Sequence, residues 1–115
     1  MRGTSAVAPT LIAPTHDSTF GGGNILMAWS PVPGATLYEY YVARQGQSAA
    51  TSRGVNPGLF VQVPLFAVGG QPTVYSGIAR ACSVGATCVG GSDAGWGPWS
   101  NVAGTGAVSF TVLFP

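Results

Sequence analysis

Glycine and proline interrupt almost every ten-residue window of this chain, and that property alone argues against helices. Each interior glycine costs a helix about 1 kcal/mol and each proline about 3 kcal/mol. No segment shows the sustained apolar period of a helix that would offset such losses. What remains alternates with period two. Ile25 to Trp29 reads as a strand, stopped by the Pro31-Val32-Pro33-Gly34 turn. From about Leu37 to Arg44 a second strand places Tyr38, Tyr40 and Val42 on one face and Glu39, Tyr41 and Ala43 on the other. Leu59 to Val63 forms a short strand before Pro64. Val74 to Cys82 alternates again, with Tyr75, Gly77, Ala79 and Ala81 facing one way and Ser76, Ile78 and Arg80 the other. A closing strand from Ala107 to Phe114 aligns Val108, Phe110, Val112 and Phe114 on a single face.

Short strands joined by turn-rich connections, without helices or parallel crossovers, predict an all-β fold of two packed antiparallel sheets, with a barrel as the alternative. At 115 residues the chain holds one domain and can bury a core without metals or a dense disulfide framework. Residues 1–23 read as an N-terminal arm and first strand, and 24–115 as the rest of the sandwich. Residues 83–106, rich in Gly, Ser and Pro, read as a long loop.

Charged residues make up 6% of the chain, against roughly 25% in average soluble chains. A surface with so little charge is poorly protected against association. It is either covered by neighbours or a Thr/Ser/Gly-rich exterior of the kind many extracellular β-domains carry. The cations are Arg2, Arg44, Arg53 and Arg80, with no lysine and a net charge of +1. Nucleic-acid binding is excluded on that basis, because phosphate neutralisation needs clustered Lys and Arg. No apolar run is long enough for a membrane span, and no signal peptide follows Met1-Arg2. Localisation in a virion, or outside the cell or at its surface, accommodates that pattern.

Cys82 and Cys88 enclose five residues including Gly85, a spacing that matches no structural zinc site. A local disulfide fits better than two free thiols or a metal or redox role. Closing so short a loop contributes only about 2 kcal/mol, so the bridge would shape a loop while the core holds the fold.

Three blocks, Ile25–Val42, Tyr75–Ala81 and Gly95–Val102, make the chain resemble a fibronectin type III domain of the divergent bacterial or phage type. The resemblance implies an immunoglobulin-like sandwich with Trp29 buried at the end of the second strand and Tyr38 in the core at the start of the third. It also implies that Tyr75 locks a corner, and that Gly97-Pro98-Trp99-Ser100-Asn101 leads into the last strand. Gly77, in a position the family often fills with a large residue, implies a bulky neighbour such as Trp29 or Phe60. Ala103 to Gly106 reads as an insertion or bulge. No Arg-Gly-Asp tripeptide occurs.

Catalysis finds no constellation. His16 lies beside Asp17 with Thr15 and Ser18 around it, reading as a solvated loop histidine rather than a base or ligand. Asp17, Glu39 and Asp93 show no paired-carboxylate spacing. Gly21-Gly22-Gly23 has no following lysine and forms a turn, not a phosphate loop. No enzyme activity, cofactor or metal is expected. Trp96 and Trp99 fit three roles, namely packing over the sandwich end, a protein contact, or a platform for a sugar ring. Tyr41 and Ile78 should face outward on neighbouring strands, with Arg44 and Arg80, as a stripe able to meet a partner. The function expected is therefore a structural or assembly module working through protein contacts, its arm laid along a neighbouring subunit's sheet edge. An adhesive or carbohydrate-binding module acting through Trp96, Trp99 and Tyr41 is the alternative.

Overall fold

The computed structural model describes residues 8–47, 50–100 and 108–113. The eight strands are β1 (Leu11–Ala13), β2 (Ser18–Phe20), β3 (Gly23–Trp29), β4 (Tyr38–Arg44), β5 (Ser52–Asn56), β6 (Phe60–Leu65), β7 (Thr73–Ala81) and β8 (Val108–Val112). They form a two-sheet sandwich of the immunoglobulin-like kind. One sheet has three strands in the order β1-β3-β6, and the other five in the order β2-β8-β7-β4-β5. All pairings are antiparallel except β2 with β8, which run parallel with Ser18 beside Phe110 and Phe20 beside Val112.

The period-two pattern decides what lies between the sheets. Ile25, Met27 and Trp29 from β3, Val63 and Leu65 from β6, Tyr38 and Val42 from β4, and Val108, Phe110 and Val112 from β8 are all buried. Trp29 packs against the ring of Tyr38 at 5.9 Å and stacks on Tyr40 at 6.4 Å. Tyr75 stacks on Phe110 at 6.0 Å, and its hydroxyl donates to the Phe66 carbonyl at 2.6 Å, tying β7 to the end of β6. Tyr38 accepts from the Val32 amide at 3.0 Å, which pins the β3–β4 turn. That turn also needs Gly34, whose φ is +77° and where an added Cβ would stand 2.5 Å from Val84. The gap over Gly77 is filled neither by Trp29 nor by Phe60. Met27 reaches within 3.1 Å of where a Cβ would be, with Leu11 and Phe110 behind it, while Phe60 points out to solvent.

Several boundaries move. The segment read as Leu59 to Val63 continues through Pro64 to Leu65, because β6 is an edge strand and a proline there leaves no ladder bond unmade. β5 has no hydrophobic alternation to announce it; its backbone completes the edge beside β4, from Val42 against Ser52 to Tyr38 against Asn56. Ala107 and Phe114, at the ends of the expected closing strand, and Ala103 to Gly106 lie outside the described residues.

From Ala8 onward the N-terminal segment is built into its own domain. Pro9 and Leu11 are buried and β1 pairs with β3. The chain then crosses through a cis Ala13–Pro14 bond to the other sheet, where β2 pairs with β8 and Phe20 packs edge-on against Phe110 at 5.9 Å. His16 is accordingly not a free loop side chain. Its Nδ1 accepts from the Ser109 amide at 3.1 Å, and its Nε2 lies 3.6 Å from Asp17, whose φ of +64° turns the two side chains together.

Candidate functional site

The outward face of the five-stranded sheet gathers the residues that sequence reasoning singled out. β4 pairs with β7 in a register that sets Glu39 opposite Arg80 and Tyr41 opposite Ile78. β5 pairs with the other side of β4 and sets Arg53 opposite Tyr41, one diagonal step from Glu39. After β7 the chain folds back over this face. A bridge between Cys82 and Trp96 closes the base of the loop, the Cys82–Cys88 disulfide crosses it, and Ser83 donates its amide to Gly95 at 2.9 Å. The expected local disulfide is therefore present. Beyond the loop, Ser100 and Ala79 exchange two bonds, amide to carbonyl at 2.6 Å and amide to hydroxyl at 3.0 Å, so Trp99 is anchored on the edge of β7.

Beneath the loop lies an ionic centre. Glu39, the chain's one glutamate, is 0% exposed. It accepts from Arg80 Nε at 2.8 Å, Arg53 Nε at 3.0 Å and the Gly91 amide at 2.9 Å. Arg80 is also buried, and its remaining donors reach Asp93 at 2.7 Å and the Ser92 carbonyl at 2.7 Å. Burial by itself would raise the Glu39 carboxyl, but the bonds from Arg53, Gly91 and Arg80 and the charge of Arg80 outweigh it and hold it below its ordinary value. Arg53 is correspondingly raised, first through its bond to Glu39.

Aromatic rings enclose this centre. The Arg80 guanidinium lies 4.2 Å from the Trp99 ring centroid and 5.1 Å from that of Trp96, within cation–π reach of both. Trp99 meets Tyr41 edge-on at 6.2 Å, and Arg53 lies 5.1 Å over Tyr41. Trp96, Arg80, Trp99, Tyr41 and Arg53 thus follow one another as a run of rings and cations in which the Trp99 and Tyr41 rings touch directly. Trp96 is 9% exposed and donates its indole N–H to the Val89 carbonyl at 2.9 Å, so it packs under the loop rather than forming a platform. Ile78 is partly covered beside Tyr41. Arg44 does not join this stripe. It falls in register with Tyr75 at the far end of β4, on the side of the strand that carries Val42.

The bases missing from the sequence reading are Glu39 and Asp93 as partners of Arg80. Their signal was the outward register of Glu39 and Arg80 on strands that prove to be adjacent. Four of the chain's seven charged side chains meet here, which is why so little charge is left for the rest of the surface. All three nitrogens of Arg80 bond within the chain, so the arrangement braces the loop. Among the described residues no group of three His, Cys, Asp or Glu side chains is placed to hold a metal ion, and no helix is long and apolar enough to cross a membrane. The disulfide is consistent with an extracellular, oxidising location.

The three-stranded sheet presents the opposite case. Its outward face carries Asn24, Leu26 and Ala28 of β3 against Pro64, Gln62 and Phe60 of β6, with Ile12 beside them from β1. Phe60 is 64%, Ile12 61% and Leu26 44% exposed, and no side chain on this face is charged. Comparison with protein-family models and with curated protein sequences gives no match for the chain.

Proposed function

We propose that this chain is a non-catalytic structural module of the fibronectin type III kind that assembles with copies of itself, as in a virion decoration or tail component or a surface filament. The observation that carries the reading is the bare outer face of the three-stranded sheet. Three large apolar side chains stand exposed on a face without charge, the composition expected of a surface that is covered in its working state. A neutral apolar face is also self-complementary, because two copies meet on it without like charges opposing each other. Trp29 and Tyr38 in the core and the Tyr75 hydroxyl bond at the β6–β7 corner support the family reading, as does the division of strands between the sheets.

The carbohydrate-binding reading through Trp96, Trp99 and Tyr41 draws no support from the geometry, since Arg80 and Arg53 already occupy ring faces there. Sedimentation across a concentration series tests the assembly reading. The parent chain should associate as concentration rises, and Phe60→Lys with Leu26→Lys should remain a monomer with an unchanged fold. A parent chain that stays monomeric at millimolar concentration would reject it.

A further inference from the structure

At the pole of the sandwich away from the disulfide loop, the end of β4 and the chain entering β7 border a shallow, open cleft of about 420 Å³. That volume is in the range of small-molecule sites. The five steps of β4 from Glu39 to Arg44 put it about 17 Å from the Glu39 centre. Its lining includes Arg44, Gln45, Gln47, Gln71, Val68 and Pro72. Arg53 and Arg80 are paired with Glu39 and Asp93, but Arg44 has no ion pair among the described residues. Nor do the three glutamine side chains hydrogen-bond to any described residue.

The backbone under these side chains is held firmly. Gln45 donates its amide to Val74 at 2.8 Å and Gln47 to Arg44 at 2.9 Å. On the other wall Val68 bridges Gln71, and the Thr73 hydroxyl accepts from the Val68 amide at 2.8 Å while donating to the Gln71 carbonyl at 3.0 Å. The backbone fixes where these side chains start, and the exposed glutamine amides keep their hydrogen-bonding capacity for a ligand.

We infer that this cleft binds an acidic saccharide, with the Arg44 guanidinium on the carboxylate and the glutamine amides on ring hydroxyls. A guanidinium fork matches a carboxylate in two parallel bonds. Each glutamine supplies both a donor and an acceptor, as vicinal hydroxyls require, and Val68 and Pro72 offer an apolar patch to the C–H face of a ring. A peptide would bring few hydroxyls to meet three amides. Asp17 lines an adjoining depression that shares Gln45, so a carboxylate is directed to the Arg44 side.

The test is a titration of the full chain with trigalacturonic acid, followed by amide and side-chain NH₂ shifts, with the neutral methyl ester of the same trisaccharide in parallel. Saturable shifts should map to residues 44–47 and 68–74. Affinity should fall about tenfold for the ester and for Arg44→Gln, with a smaller loss for Gln71→Ala. Trp99→Ala should leave binding unchanged. The inference is overturned if the acid gives no saturable shift at millimolar concentration, if Arg44→Gln binds like the parent, or if the shifts fall around Tyr41 and Trp99. It is equally overturned if a glutamate-terminated peptide occupies the cleft and the trisaccharide does not.

Discussion

The two outer faces of this sandwich are made by the same device, alternating strands, yet they end in opposite states. On the five-stranded side a loop has closed over Glu39, Tyr41 and Arg80 and satisfied them one by one. On the three-stranded side no described segment covers Leu26 and Phe60, and they are left to water. Charge follows the same division. It is concentrated where the chain neutralises it internally and absent from the open face of the three-stranded sheet. The lesson is that low overall charge says little about a surface until its few charges are located. Here they stabilise a lid, and the remaining face is apolar by default.

The sharpest way to break the contrast is to remove Glu39. Glu39→Gln leaves the buried Arg80 without its main counter-charge and should cost about 3–5 kcal/mol in a urea titration. Replacing Cys82 and Cys88 by serine should cost about 2 kcal/mol. Hydrogen exchange in that variant should quicken first at Gly91, Trp96 and Gly97, while Met27 and Val63 keep their protection.

Acid offers a graded version of the Glu39 experiment. Its carboxyl is depressed in the folded chain, so its stabilisation is complete above about pH 4.5, the ordinary value, and is lost as pH falls below that through the folded-state value. Unfolding free energy measured from pH 6 to pH 2 should decline over that lower range in the parent, and Glu39→Gln should lack that part of the slope. The smallest effect on stability belongs to the open face. Leu26→Lys should change it by no more than about 0.5 kcal/mol, because the side chain is already in water, while still reducing self-association in sedimentation.

The core was legible in the sequence because burial there is periodic. Trp29, Tyr38, Tyr75, Val108 and Phe110 each fall on the inward beat of a strand, and all are buried. Strand ends and edge strands were less legible. β5, with the sequence Ser-Arg-Gly-Val-Asn, is half solvated and is held by backbone bonds to β4 that any residues could make. Pro64 looked like a stop because proline ends interior strands, but at an edge it is harmless. Of the candidate contacts Tyr41, Ile78, Trp96 and Trp99, the fold brings Tyr41, Trp96 and Trp99 to one site, with Ile78 beside Tyr41. What escaped was that Arg80 and Glu39 organise it, since pairing across forty-one positions depends on strand register. Met27 at the Gly77 gap escaped for a related reason. Which of several apolar neighbours fills a hole is set by how the two sheets face each other.

The parallel pairing of β2 with β8 carries a mechanical consequence. Residue 10 sits beside Ser30, just past the end of β3, whereas residue 113 bonds to Phe20, near where β3 begins, so the two lie toward opposite poles. Tension applied between them pulls β2 and β8 in opposite directions along their own axes. Their hydrogen bonds then bear the load side by side instead of opening in sequence like a zip. The sandwich is thereby oriented to resist stretching along its length.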